Sequence, residues 1–412
     1  MSNKVLKKIV RKIDIEFISP VCVSNGEDEF TDADVMVDYD GKPFIPGSSL
    51  AGAMRDYLKL DFGLGSIEGD MSSFYISDLT FDEVLSRSVR DGIRLDEHKQ
   101  TIEGAKYDME VIDAGAKGSF YMELIIREKT DESKYMNQWR TIISGFHDQD
   151  IRLGMKKTRG YGECEILSVS EKVYTAENIK EYVDAYKTET YENLADIKES
   201  VWDKPSNLFT NIMVPLELKG GISIRTYSAK KGEPDYSQIT GKNKKAVIPG
   251  TSISGALRSR MSQFLKDDMK VETEKVDQLI SDLFGLEGSR EAQGHKSLIR
   301  FSENTLEGAK GLQMTRAAIS RFEFSSFDGG LYTEKTYVNG KVNLKIQIEN
   351  CKDWMIGLLL VALHDLQHGY LAVGGQTAIG RGIFEGNEIK INGTVISDET
   401  KYYDALMEVA YD

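Results

Sequence analysis

The chain has 412 residues, with 52 Lys and Arg against 66 Asp and Glu, which gives a formal net charge of −14. At roughly 100–200 residues per domain, this length predicts two or three domains. A hydrophobic content of 40% and a charged content of 29% are typical of a globular protein and exclude bulk disorder. No apolar run reaches the roughly 20 residues of a membrane-spanning helix, so no membrane association is expected. The basic N-terminus has no apolar core of signal-peptide length, which predicts mature sequence.

The cysteines and the acidic balance bear on location and partner. Cys22, Cys164 and Cys351 are far apart, which excludes a disulfide framework and a cysteine-based zinc cluster and predicts a reducing, cytoplasmic environment. A nucleic-acid binder is ordinarily basic. Composition alone therefore favours an enzyme that acts on small anionic or neutral metabolites as much as it favours a nucleic-acid binder.

The first half of the chain begins with a strand in which Ile13, Ile15 and Phe17 alternate with polar residues. A Pro-Gly-Ser-Ser turn then opens a helix, for which the hydroxyl side chains are predicted as N-caps. A strand-like FYISDLTF segment, an alternating strand over 120–126, a helix and a glycine-rich loop follow, and ECEIL closes the unit. A strand, a helix, two strands, a helix and a strand therefore follow one another.

The second half repeats these elements. IPGSSLAGAMR at 45–55 recurs as IPGTSISGALR 203 residues later, with seven of eleven positions identical. FGL at 62–64 recurs at 284–286, SLIRFSENTL stands for FYISDLTF, and GMKKTRGYG matches GGQTAIGRG, both written G-x5-G-x-G. Tyr107 with Glu110 matches Tyr332 with Glu334 loosely, with a spacing that differs by one. The chain is therefore interpreted as a tandem duplication.

This element order predicts an α+β fold of two tandem ferredoxin-like, RRM-like domains with insertions. The domains are placed at 1–173 and 208–412, with an acidic helical connector at 174–207. The helix that follows the second alternating strand is apolar nearly all round and is predicted to be buried. The insertion at 271–313 is interpreted as a partner-facing element.

The two repeated turns have chemistry suited to an anion. A Pro-Gly-[Ser/Thr]-Ser turn leading into a helix offers backbone N–H groups at a positive helix end. The glycines of the G-x5-G-x-G loop permit close approach of an extended anionic ligand, although both sets could equally make tight turns. The candidate RNA-binding residues are Ser48, Ser49, Arg55, Lys156, Lys157, Arg159, Gly160, Thr251, Ser252, Arg258, Gly374, Gly375, Gly380 and Arg381.

The paired motifs resemble the RAMP superfamily of CRISPR-associated proteins, and within it the backbone subunits of type III effector complexes. The resemblance covers both halves, and two units in one chain are similar to the fused subunits of the type III-D-like branch. It implies a cytoplasmic prokaryotic protein that binds a guide RNA, a complementary target RNA and other type III effector subunits. Nucleolytic members cut the target with a loop aspartate and a divalent metal.

The resemblance also implies the catalytic residues. Family members carry Asp-x-x-[Val/Ile]-x-x-Asp before the Pro-Gly turn, and 32–38 of this chain fits, with Asp32 fourteen residues before Pro46. Asp235 lies fourteen residues before Pro249, although Gly241 stands where the second acidic residue is expected. Each aspartate is expected to hold a hydrated Mg²⁺, or another divalent metal, or to orient the attacking 2′-hydroxyl.

Several residues have plainer explanations. Asp34 and Asp38 could supplement the metal site but are interpreted as surface residues. His364 and His368 have a zinc-compatible spacing without a third ligand, so interior or cap roles are favoured. Tyr107 and Tyr332 could pack on RNA, but aromatic residues at strand positions are more often core. Basic residues that could contact phosphate or simply solubilise the surface are Lys4, Lys7, Lys8, Arg11, Lys12, Lys230, Lys231, Lys242, Lys244 and Lys245.

Three functions remain open from the sequence. The first is a guide-RNA-binding backbone subunit that cleaves target RNA, and the second is the same subunit with one or both aspartates inert. The third is a metal-independent ribonuclease that processes guide-RNA precursors. That third branch generally lacks the Pro-Gly-[Ser/Thr]-Ser turn, and no histidine lies near the expected N-terminal loop, so it ranks last.

Overall fold

The computed structural model describes residues 4–24, 26, 31–59, 72–84, 86–95, 100–188, 191, 194–197, 208–227, 233–288 and 294–411. This part of the chain is α+β and forms two compact units. The first comprises Met1–Gly92, Tyr107–Lys157 and Tyr161–Asn207, and the second comprises Ile93–Lys106, Thr158–Gly160 and Leu208–Asp412. The FGL segment at 62–64, Lys230 and Lys231 lie outside the described residues.

The described residues up to 196 form nine strands and three helices. In chain order they are β1 (Val5–Phe17), β2 (Phe44–Ile45), α1 (Gly47–Leu58), β3 (Phe74–Ile76), β4 (Leu79–Glu83), β5 (Arg87–Leu95), β6 (Thr101–Ile112), β7 (Lys117–Arg127), α2 (Glu132–His147), β8 (Cys164–Tyr174), α3 (Ile179–Thr188) and β9 (Ala195–Asp196).

The main sheet of the first unit is built around β1. It has the order β2-β4-β7-β1-β8-β9, and β1 is antiparallel to both β7 and β8. The predicted alternation is confirmed, because Ile13 and Ile15 of β1 and the four apolar residues at 120, 122, 124 and 126 of β7 are all buried. Helix α2 packs over this face, where the rings of Phe120 and Phe146 lie 5.9 Å apart.

The predicted connector contributes a helix and a short strand to the first unit. Tyr182 of α3 packs with Val10 and Tyr174 in a small apolar cluster. Strand β9 pairs antiparallel with β8, opposite Ser170 and Glu171. The sheet therefore extends beyond residue 173, while the domain limits given above stay a prediction.

The described residues from 208 onward form thirteen strands and four helices. They are β10 (Phe209–Lys219), β11 (Gly221–Ile222), β12 (Arg225–Tyr227), β13 (Tyr236–Gln238), β14 (Val247–Ile248), α4 (Gly250–Gln263), α5 (Thr273–Phe284), β15 (Ile299–Phe301), β16 (Asn304–Thr305), β17 (Lys310–Ile319), β18 (Ser326–Val338), β19 (Lys341–Glu349), α6 (Asp353–Gln367), β20 (Ile383–Glu385), β21 (Lys390–Ile391), β22 (Thr394–Val395) and α7 (Thr400–Tyr411).

Two sheets organise the second unit. The first has the order β15-β19-β10-β21-β22, with β20 also paired with β10. The second has the order β11-β18-β13-β12, with β17 also paired with β18, and β13 runs parallel to β18. This second sheet carries the side chains that surround one of the candidate aspartates.

Helix α6 is buried on nearly every side, as predicted, because α4 and α7 both pack against it. A Cβ atom at Gly357 would lie 2.2 Å from the carbonyl oxygen of Tyr402, so glycine allows α7 to approach closely. Helix α5 adds Val276, Leu279 and Leu283 to the same core. One face of α5 therefore belongs to the core, while the partner-facing interpretation of 271–313 stays a prediction for its exposed residues.

No helix in the described ranges is long and apolar enough to cross a membrane.

We predict that Gly382→Ala destabilises the second unit by more than about 2 kcal/mol. Gly382 has φ +72, and a Cβ atom there would lie 1.9 Å from the carbonyl oxygen of Val373. Gly255→Ala is the matched control, because a Cβ atom at this helical glycine would meet nothing within 4 Å beyond its chain neighbours and its own helix backbone, and it should stabilise by about 0.5–1 kcal/mol. Thermal unfolding of the full chain followed by circular dichroism measures both. Equal shifts for the two variants would contradict the packing described here.

Candidate functional site

The repeated Pro-Gly turns begin helices, but not through hydroxyl caps. Pro46 is the N-cap of α1 and Pro249 the N-cap of α4, both in extended conformation. The prediction that Ser48 and Ser49 cap the helix is therefore wrong. They lie inside the first turn, because proline already fixes the extended φ that a cap needs.

A carboxylate from another segment occupies the start of α1. The N–H of Gly47 donates to Oδ1 of Asp78 at 2.7 Å. A Cβ atom at Gly47 would lie 2.5 Å from the carbonyl oxygen of Ile76, so only glycine fits this crossing. Asp78 stands in the FYISDLTF segment, which explains why that segment recurs beside the turn.

The other predicted residues of the two turns face outward to different degrees. Ser48, Ser49 and Arg55 are exposed, whereas Thr251 and Ser252 are half-buried. The Arg258 guanidinium lies 5.7 Å from the centre of the Phe284 ring. Their proposed contacts with RNA stay a prediction.

The two G-x5-G-x-G loops have the same hydrogen bonds. Leu153 N donates to Gly162 O and Val373 N to Gly382 O, both at 2.9 Å. Each loop also makes an equivalent contact with a segment that follows an early strand of its unit. The N–H at position 155 donates to the carbonyl oxygen of residue 22, and the N–H at 375 donates to that of residue 223. All six glycines of the two motifs have positive φ, as do the residues at 156 and 376. The main role of the repeated glycines is therefore to allow a positive-φ backbone, which other residues adopt only with a loss of conformational free energy.

The basic residues of the first loop have separate positions. Lys156 Nζ lies 3.2 Å from the centre of the Tyr107 ring. Lys157 O accepts a hydrogen bond at 2.9 Å from the buried Arg152. Arg159 is exposed, and both it and Gly160 belong to the second unit, where Phe301 N donates to the carbonyl oxygen of Thr158.

Asp32 is exposed and exchanges two hydrogen bonds with Asp108 of β6. Asp108 N donates to Asp32 Oδ2 at 2.8 Å, and Asp32 N donates to Asp108 Oδ1 at 3.2 Å. Glu110 lies close by, with its Oε2 accepting from Val35 N at 3.1 Å. The structure therefore brings a second and a third carboxylate to the predicted aspartate, neither of which the sequence singled out as catalytic.

The other two acids of the 32–38 motif are held locally. Thr31 Oγ1 donates to Asp34. Asp38 Oδ1 accepts from the N–H groups of Asp40 and Lys42, which closes a surface turn. This agrees with their interpretation as structural surface residues.

Asp235 is exposed and is held by the same main-chain bond as Asp32. Thr333 N donates to Asp235 Oδ2 at 2.7 Å. Asp108 and Thr333 each follow a tyrosine that the duplication matched, Tyr107 and Tyr332, so the two aspartates are equivalent in the structure as well as in spacing.

The spacing from the matched tyrosines corrects the loose match between Glu110 and Glu334. Glu110 N donates to Ala33 O in the first unit, while Ser237 pairs with Lys335 in the second. Because the tyrosines lie 225 residues apart, Glu110 corresponds to Lys335 and not to Glu334. The acidic neighbours of Asp32 are therefore replaced by Thr333 and Lys335 around Asp235.

Arg381 lies inside the second unit. It is 6% exposed, and its Nη2 donates to Glu334 Oε1 at 2.7 Å. Gln376 Nε2, from the same loop, donates to Glu334 Oε2 at 3.1 Å. Burial lowers the pKa of the Arg381 guanidinium below its ordinary value. Gly374 and Gly380 are exposed, and Gly375 is half-buried with its N–H on Ser223 O.

A family model described as the RAMP superfamily matches residues 14–165 and 219–385, which together cover more than half of the chain. The chain belongs to the RAMP superfamily. The two matched regions agree with a tandem RAMP fusion. Membership implies a CRISPR-associated, RNA-binding subunit. A search of curated proteins found no match.

The two aspartate sites of this RAMP protein differ in how well they suit a metal. Asp32 and Asp108 place two carboxylates side by side at the surface, and the bonds between them leave one oxygen of each outside the pair. That donor set fits a Mg²⁺ that keeps most of its waters. Asp235 accepts the equivalent main-chain bond from Thr333, whose side chain has no carboxylate, so this second site fits less well. Among the described residues, no group of three or more His, Cys, Asp or Glu has the arrangement of a metal site.

The histidines of α6 have structural partners in this RAMP protein. His364 Nε2 lies 2.9 Å from Glu399 Oε2, which also accepts from Tyr403. His368 is the C-cap of α6, and its Nδ1 lies 2.7 Å from the carbonyl oxygen of His364. These contacts support the cap role for His368, whereas His364 is only half-buried and pairs with Glu399 instead of lying in the interior.

The N-terminal basic run is largely paired with acids. The pairs are Lys7 with Glu132, Lys8 with Glu123, Arg11 with Glu171 and Lys12 with Asp14. In the second unit, Lys245 pairs with Glu307 at 2.7 Å. These cations are therefore poor candidates for phosphate contacts.

We predict that Asp78→Asn strengthens binding of single-stranded RNA by about 2–5-fold if Ser48 and Ser49 contact a phosphate. Asparagine keeps an oxygen for Gly47 N–H but removes the negative charge from the helix N-terminus. Asp56→Asn, in the same helix near its other end, is the matched control. Fluorescence anisotropy with labelled RNA measures the effect, and an unchanged affinity for Asp78→Asn would argue against phosphate binding at this turn.

Proposed function

We propose that the protein is a backbone subunit of a type III CRISPR effector complex that binds guide RNA and cleaves complementary target RNA. The observation that carries this proposal is the matched pair of aspartates. Asp32 and Asp235 are both exposed, and each accepts a main-chain hydrogen bond from the residue after a matched tyrosine. The same main-chain bond holds a carboxylate at the surface in both units, which suits a position that faces RNA in both and that is catalytic where the surrounding groups suit a metal.

The strand order supports a ferredoxin-like fold for each unit. In the first unit β4, β7, β1 and β8 are neighbours in that order, and in the second unit β15, β19, β10 and β20 are. Two such units in one chain suit a subunit that occupies two successive positions along a guide RNA. Its other partners are proposed to be neighbouring subunits of the effector complex.

The residues of the first unit have distinct roles in the proposed reaction. Asp32 and Asp108 would hold a Mg²⁺ or another divalent metal through one oxygen each and intervening waters. A bound metal supplies positive charge against the scissile phosphate. Asp32 would orient the attacking 2′-hydroxyl by accepting its hydrogen bond. Lys156, held over the Tyr107 ring, would neutralise a neighbouring phosphate.

A non-catalytic role is favoured for the second unit. Thr333 replaces the second carboxylate and Lys335 replaces Glu110, so the site that attracts a cation in the first unit is lost around Asp235. If the first site is inert as well, the protein is a structural subunit that only organises guide RNA.

The decisive experiment uses the assembled complex with guide RNA and a complementary target. We predict that Asp32→Asn reduces Mg²⁺-dependent cleavage at one target position by about 10²–10⁴-fold while target binding is unchanged. Asp108→Asn should reduce cleavage at that same position. Asp235→Asn should have little effect, because its surroundings do not suit a metal.

The control is Asp40→Asn, an exposed aspartate in the turn that Asp38 closes, which should cleave like the wild type. If the wild-type complex never cuts complementary RNA in Mg²⁺, the nuclease proposal is wrong and the structural role remains. Cleavage of guide-RNA precursor by the isolated chain in EDTA would support the metal-independent processing enzyme instead.

A further inference from the structure

One carboxylate of the second unit lies among several arginines. Glu334 of β18 is 1% exposed. Its Oε1 lies 2.8 Å from Arg316 Nε of β17 and 2.7 Å from Arg381 Nη2. Its Oε2 accepts from the neutral Gln376. One negative charge therefore balances two guanidinium groups.

A third arginine adds to this excess. The Arg225 guanidinium of β12 lies 4.5 Å from the centre of the Tyr236 ring. Burial is the main cause of the lowered pKa of Arg381, and repulsion from Arg316 and Arg225 lowers it further. Arg381 is therefore close enough to Arg316 and Arg225 to be repelled by both, and Glu334 supplies one negative charge against the two arginines that it contacts. Within the described ranges, buried Nη1 of Arg381 has no hydrogen-bond partner.

The strand register places these side chains on one face of the second sheet. Tyr236 of β13 pairs with Glu334, and Arg316 of β17 pairs with Tyr332. Arg225 of β12 pairs with Gln238, two residues from Tyr236. Since directly opposed residues and residues two apart share a face, Arg225, Arg316 and both tyrosines line the same surface, and Arg381 of the loop contacts Glu334 on it. The tyrosine rings meet edge to face at 6.0 Å. Arg225, Arg316 and both tyrosines are half-exposed, so a ligand can reach them.

The first unit has no such cluster at the equivalent positions. The shift between the matched tyrosines makes Met109 the counterpart of Glu334. The alignment of the two glycine-rich loops makes Tyr161 the counterpart of Arg381 and Lys156 that of Gln376. Glu110 stands where the second unit has Lys335. The cluster of arginines around a buried glutamate is therefore a feature of the second unit that the equivalent positions of the first unit do not repeat.

We propose that Arg225, Arg316 and Arg381 form a binding site for a phosphodiester of an RNA strand beside Asp235, with Tyr236 and Tyr332 packing on the adjoining nucleoside. Arginine pairs with phosphate through two N–H groups, and tyrosine faces accept any base. Glu334 is a positioning residue that fixes Arg316 and Arg381 while weakening their field. The inference rests on the proposed RNA-binding function and assigns a site for it.

The test uses the full chain and a labelled single-stranded RNA, with fluorescence anisotropy measured over a range of salt concentrations. Arg316→Gln should weaken binding about 5–20-fold and reduce the salt slope by about 0.7, the value for one lost phosphate contact. Arg225→Gln combined with Arg316→Gln should weaken binding further. The matched control is Lys310→Gln, an exposed cation on the same strand, which should bind like the wild type.

Glu334→Gln separates a binding role from a purely structural one. Glutamine keeps an oxygen for the arginines but removes the opposing charge, so RNA affinity should rise even if stability falls. A structural role alone would lower affinity or leave it unchanged. Circular dichroism establishes that each variant is folded before its affinity is compared.

The possible outcomes distinguish this inference from the proposed function. If wild-type protein binds RNA but Arg316→Gln binds equally with the same salt slope, or Glu334→Gln does not bind more tightly, this site is wrong and the RNA-binding function stands. If wild-type protein binds no RNA, both fail. Inorganic phosphate that stabilises the wild type but not Arg316→Gln, without RNA binding, would identify a site for free phosphate and overturn the RNA assignment.

Discussion

A main-chain N–H holds the carboxylate of each candidate aspartate, and the placement of both sites depends on that bond. It comes from residue 108 of β6 in the first unit and residue 333 of β18 in the second. A backbone donor is present whatever side chain the residue carries. The position of the aspartate is therefore independent of its neighbours, which can change without moving it.

The side chains around the two aspartates have opposite charge. Asp32 lies beside Asp108, a pair of carboxylates that attracts a cation, while the nearby Glu110 is paired with Arg87 at 3.4 Å. Around Asp235 the corresponding residues are Thr333 and Lys335, with three arginines on the same sheet. Charge–charge interactions between neighbouring side chains are strong where water is partly excluded. Asp32 and Asp235 therefore differ in chemistry although the same main-chain bond holds both. Identity of a motif in two repeats is therefore weak evidence that both copies perform the same step.

The sequence predicted what depends on local backbone geometry. The Pro-Gly turns, the alternating strands and the glycine loops were all found, because each requires particular residue types at fixed spacing. Partners that come from distant segments were missed. Asp78 reaches the start of α1 from 31 residues away, and Glu334 binds one arginine from β17 and another from the glycine-rich loop. Residue type alone pairs Glu110 with Glu334, but the spacing from the matched tyrosines pairs it with Lys335, so a match by residue type hides the change of charge.

Net charge is a poor guide to the ligand of this protein, because what matters is how each cation is compensated. The N-terminal basic run looked like a phosphate-binding segment in the sequence, yet four of its five cations pair with acids of the first unit. The arginines around Glu334 are scattered over more than 150 residues and formed no run at all. There, one carboxylate contacts two guanidinium groups and a third arginine lies on the same sheet face, so positive charge is concentrated on that face. An acidic chain can therefore bind RNA at a face where cationic side chains outnumber carboxylates. The electrostatic potential at that face, rather than the total charge of −14, determines whether a phosphate is attracted.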